Sequence, residues 1–124
     1  MSKLVQSLII IITTIMLCFA SFKNTNIIAK KSLEYLEKIE ILINNNKNIE
    51  QEIKEFNEFW NKKSKILQIL IHHEQIEDIN FEIAKLKLAT QEKNKFEILK
   101  TCNCLNSKVK NLEKIDEISI ENIL

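Results

Sequence analysis

Between Lys3 and Lys23 lie nineteen residues without a charge, Leu4 to Phe22, and this run constrains the chain more than any other feature. As a helix rising about 1.5 Å per residue it is just long enough to cross the hydrocarbon core of a bilayer. It predicts an N-terminal membrane anchor, residues 1–23, followed by a helical bundle domain, residues 24–124, with membrane lipid as the partner of residues 4–22. The lesser rival is a buried core helix, and the main one is a cleaved signal peptide, because Cys18-Phe19-Ala20 resembles a small-x-Ala processing site. Against it, the run is longer than a usual signal core and Phe19 to Phe22 contains no helix-breaking exit. A lipoprotein signal is ruled out by Leu17, which stands before Cys18 where a small residue is needed.

The rest of the chain must fold without glycine or proline, since it has neither. Tight hairpins, phosphate-cradling loops and sharp strand reversals lose their usual residues. Leu, Lys and Glu favour helix, and Ile follows by apolar burial, so the fold class is all-α. After the anchor, Ile28, Leu36, Ile39 and Ile43 recur at helical spacing, and the anchor helix is expected to continue outward through them. Asn44-Asn45-Asn46 interrupts, and Asn48 with Gln51 reads as an N-cap and capping-box partner opening a second helix. Ile49, Ile53, Phe56, Trp60, Leu67 and Leu70 form its stripe, with Lys63 in one slot. Extending that stripe would bury Glu74 and Glu77. A second stripe, Ile69, His72, Ile76, Ile79, Ile83 and Leu86, therefore takes over on a rotated face, with a kink or short turn between Ile71 and Glu74.

Asn94 and Glu97 repeat the cap signature before a last helix whose seam is Ile98, Cys102, Leu105, Val109 and Leu112. The tail from Ile115 to Leu124, with Ser119 as a cap, is expected to form one further turn packed back on the domain. Stripes of this kind bury themselves only against one another, which predicts a small antiparallel bundle of three to four helices behind the transmembrane helix.

Every one of the 18 basic residues is Lys, so the guanidinium fork suited to phosphate and base edges is absent; 16 Lys face 17 acids from residue 24 onward in an interspersed pattern. Nucleic acid is not an expected partner. The only concentration of metal-ligand residue types is His72, His73, Glu74, Glu77 and Asp78. His73 and Glu77 are i,i+4 neighbours, but a metalloprotease helix needs a second His where Glu77 stands, and no second helix supplies the Glu and His of a di-iron site. No inward acid is expected to interrupt an apolar stripe elsewhere. The cluster, with Trp60 nearby on its stripe, is read as structural: His72 in the core, His73 paired with Glu77. Cys102 and Cys104 diverge on a helix and cannot grip one ion together. No catalytic residue, metal or cofactor is expected.

Trp60 with Lys62, Lys63 and Lys65, the stretch His73-Glu74-Gln75-Ile76-Glu77-Asp78-Ile79, the segment Ile83 to Lys87 and the ending Ser119 to Leu124 together resemble the small clostridial-type membrane proteins catalogued as domain of unknown function 4363. The resemblance covers nearly the whole chain. It departs from the family in lacking a Pro before the C-terminal stretch and in having Glu77 where Asp is common. It implies a single-pass bacterial membrane protein with a helical domain, and it brings no catalytic residue with it. The expected function is a membrane-anchored helical interaction or scaffold protein, not an enzyme, with a protein partner. The alternative is a sensor or ligand-binding bundle using the His72 to Asp78 cluster. The signal-like layout and the family pattern point the domain away from the cytoplasm, whereas Lys23, Lys30, Lys31 and Lys38 after the run argue the reverse.

Overall fold

The computed structural model describes residues 2–71 and 73–123, with the side chains at 21, 22, 70 and 113–123 left aside. Among the described residues the chain forms four helices and no strand: α1 (Ser2–Asn44), α2 (Glu50–Leu70), α3 (His73–Gln91) and α4 (Lys95–Ile123). The membrane candidate and the first bundle helix are one element. α1 runs 43 residues, about 64 Å, without a break at the anchor boundary. Three short connections make successive helices antiparallel. The contacts run α1 to α2, α2 to α3, α3 to α4 and α4 back to α1, a closed ring with no diagonal pair among the described residues.

The helical stripes read from sequence become the core. Ile28, Leu36 and Ile39 of α1, Ile49, Ile53, Phe56, Trp60 and Leu67 beside and along α2, Ile76, Ile79, Ile83 and Leu86 of α3, and all five seam residues of α4 are buried in one cluster. Ile43 is only partly buried. Tyr35 packs its ring 5.8 Å from Phe56 and 5.4 Å from Phe59, which sets the height of α2 against α1. In the slot beside Lys63, the small side chain of Ser64 is the buried one.

A chain without glycine still has to end its helices, and it does so with strained residues. Asn46 (φ 57°) and Lys93 (φ 54°) take the left-handed conformation after α1 and α3. At each, two backbone bonds close a Schellman motif: Asn46 N–H to Ile43 O and Lys47 N–H to Leu42 O, then Lys93 N–H to Thr90 O and Asn94 N–H to Ala89 O. Asn94 caps α4 as expected, its side-chain oxygen accepting the Glu97 N–H at 3.3 Å. The start of α2 differs. Ile49 occupies the cap position; Asn48, one residue earlier, accepts from the Glu50 N–H at 3.0 Å, and Gln51 turns to Glu55 instead of closing a capping box.

The break between α2 and α3 falls where the conflict of stripes places it, at Ile71 in an extended conformation, its N–H donating to Leu67 O at 2.8 Å. Ile69 does not join the α3 stripe: it is 84% exposed, because α2 continues through it and ends before the face rotates. Nor does the tail form a separate turn. α4 continues unbroken past Ser119 to Ile123, since nothing after Leu112 breaks a helix; whether that stretch packs back lies outside the described side chains.

Candidate functional site

Among the described residues, those singled out from sequence do not gather into one site. Trp60 is wholly buried, and its indole Nε1 donates to Asn80 Oδ1 at 2.6 Å, tying α2 to α3. His73 and Glu77 form the expected i,i+4 pair at 3.0 Å, with both side chains about two-thirds exposed. A pair so solvated contributes little, on the order of 0.5 kcal/mol. Glu74 and Asp78 are also exposed. His72, expected in the core, lies outside the described residues. Among the described residues no three His, Cys, Asp or Glu side chains are placed to hold a metal ion.

The expectation that no acid enters an apolar stripe is overturned by Glu82. It is buried (6% exposed) between Ile79 and Ile83 on the inner side of α3. Lys108 of α4 reaches its Oε1 at 3.2 Å and Lys85 at 3.6 Å. Sequence reading missed it because Glu82 stands next to Ile83, on the edge of the stripe, where the facing helix decides between solvent and core. Its partner Lys108 lies 26 residues away. The arrangement is a cross-brace between α3 and α4.

The thiols separate by environment. Cys102 is fully buried, and burial, with a smaller contribution from the Glu40 carboxylate, pushes its pKa up from 9.0 to about 12. Such a thiol stays protonated and unreactive near neutral pH. Cys104 and Cys18 are exposed, and all three are free.

The surface that remains unexplained by the bundle is apolar. From residue 2 to residue 20 every side chain of α1 is exposed, and its candidate membrane window is not buried in the protein at all. Two hydroxyls within this stretch bond inside the helix: Thr13 donates to Ile9 O at 2.7 Å and Thr14 to Ile10 O at 2.8 Å. Where the run ends, Phe19, Ala20, Lys23, Asn26, Ile27 and Lys30 line a shallow groove of about 520 Å³ along α1. On the bundle, Phe81 and Leu88 lie two turns apart on the outer side of α3, 63% and 55% exposed, with Lys85 Nζ 4.8 Å above the Phe81 ring.

A family model described as Domain of unknown function (DUF4363) matches residues 19–123. No curated protein and no solved structure matches the chain.

Proposed function

The chain belongs to the DUF4363 family, and on that premise we propose that it is a membrane-anchored interaction or scaffold protein whose helical bundle presents a surface to a protein partner. The observation that carries this is the division of apolar surface. The bundle closes its own core, while the α1 run buries none of its window. Eleven Leu, Ile, Val and Phe residues between Leu4 and Phe22, each favouring the bilayer centre by roughly 0.3–0.6 kcal/mol, are together sufficient to hold a single span. Lipid is the solvent that such a helix needs.

On the bundle, the Phe81–Leu88 stripe supports a protein partner over a sensor role for the His72 to Asp78 cluster, whose His73, Glu74, Glu77 and Asp78 lie open to water. The domain is proposed to face away from the cytoplasm, a reading that rests on the short basic start followed at once by the apolar run. Reporter fusions after Leu124 test this: cytoplasmic activity overturns it. The intact mass of membrane-extracted protein should include residues 4–22, and a chain beginning near Ser21 would remove the anchor. For the partner, a photo-crosslinking residue at Leu88 is compared in cells with one at Glu37, exposed at a similar height on α1, a helix that does not touch α3. Capture of one protein from position 88 alone supports the reading. Equal capture from both positions, or none from either, removes it.

A further inference from the structure

The C-terminal end of α2 carries apolar residues that the bundle does not cover. Ile69 is 84% exposed and Ile66, one turn earlier, is 41% exposed. Their height relative to the membrane follows from the side-chain contacts between α1 and α2. Tyr35 stacks on Phe56 and Phe59, and Lys31 lies 5.4 Å from the Phe59 ring centroid. Counting down two antiparallel helices from these contacts at equal rise puts Ile69 level with about residues 21–25 of α1. That is where the uncharged run stops, at Phe22. The tip of the α2–α3 hairpin and the edge of the hydrocarbon layer therefore coincide to within about one helical turn.

We propose that this tip, led by Ile69 and Ile66, is a second membrane contact, seated in the interfacial layer of the bilayer that α1 crosses. The inference rests on the membrane reading of α1. The occupant is lipid because the tip continues the same uncovered apolar surface, Phe19 and Ile27 of α1 being exposed at neighbouring heights. The charges flanking it suit headgroup phosphates: Lys23 and Lys30 on α1 and Lys62 and Lys65 on α2 are exposed just above. Glu74 and Glu77 at the exposed start of α3 keep that side in water, so the end of α2 enters first and only shallowly. A second attachment point holds the bundle in one orientation over the membrane, where a single helix leaves it free to rotate and tilt.

The test uses the full chain in vesicles of phosphatidylcholine with a minority of phosphatidylglycerol. Nitroxide labels are placed by Ile69→Cys, Leu88→Cys or Ile12→Cys in a Cys18→Ser, Cys104→Ser background, Cys102 being buried. Leu88 lies roughly 25 Å above the membrane edge by helix rise and reports water. The ratio of oxygen to nickel-chelate collisions at position 69 is expected to be several-fold that at 88 and below that at 12. Equal ratios at 69 and 88, with 12 still deep, overturn the second contact and leave the span standing. A water-like ratio at 12 as well removes the span and this inference with it.

Discussion

At the level of single residues, the buried acid is the clearest departure from a simple hydrophobic core. Glu82 is sheltered while its partners are not, Lys108 being 33% and Lys85 53% exposed, so the pair is screened on the lysine side. Glu82→Ala should therefore cost about 1–3 kcal/mol, chiefly by leaving Lys108 half-buried without its acceptor. The double variant Glu82→Met, Lys108→Met, apolar and similar in volume at both ends, should lie within about 1 kcal/mol of wild type, because removing both charges also removes their desolvation and leaves neither unpaired. Urea unfolding of the two variants in detergent separates these outcomes; equal losses would show that the brace is more than a satisfied charge. Cys102 makes a prediction with a definite sign. Its folded pKa of about 12 lies above the ordinary 9.0, so above about pH 9 the unfolded chain loses a proton that the folded chain keeps. Stability should fall as pH rises from about 9 towards about 12. Cys102→Ala should flatten this decline in a pH series of unfolding curves while lowering stability at every pH through the cavity it leaves.

At the level of helices, the absence of glycine shifts a burden to the turns. Lys93 adopts φ 54°, and a side chain with a Cβ in that region costs about 1–2 kcal/mol. The Schellman bonds to Thr90 O and Ala89 O hold it there. Lys93→Gly should raise stability by roughly 0.5–1 kcal/mol, the relief of strain being partly offset by the freedom glycine gains when unfolded. Asn46→Gly should gain less, because Asn tolerates this conformation. A shift of the denaturation midpoint at constant m-value is the expected reading; no gain for Lys93→Gly would mean that the turn is unstrained. Asn48 and Asn94 look equivalent in sequence, yet only Asn94 caps its helix. Asn48 sits one residue outside the cap position because the buried Ile49 is drawn against the core, and packing outweighs the cap preference.

For the molecule as a whole, α1 divides into an uncovered apolar run and a run packed into the bundle. Residues 2–20 contribute no buried side chain, whereas Thr25, Ile28 and Ala29 already belong to the interior. Deleting residues 2–23 should therefore yield a soluble 24–124 domain whose thermal midpoint matches that of the full chain in detergent. A molten or aggregated fragment would show that the exposed apolar segment also supports the bundle. The ring of contacts makes α4 the main strap, packed along both α1 and α3, so it is the helix whose loss should unfold the domain.

Much of this architecture was legible in the sequence for a physical reason: period and length are local properties. The uncharged run from Leu4 to Phe22, the absence of glycine and proline, and the 4-3 spacing of Ile98, Cys102, Leu105, Val109 and Leu112 each require only that a helix present one face to one environment. The break at Ile71 was readable too, because two incompatible stripes meet there. What only the tertiary structure decided are choices between partners distant in the chain. Glu82 is buried because Lys108 stands opposite, Trp60 is satisfied by Asn80, and Ile69 is left outside because α2 ends before the buried face rotates. Side chains at the edge of a stripe can face either core or solvent at similar local cost, and the facing helix makes that choice.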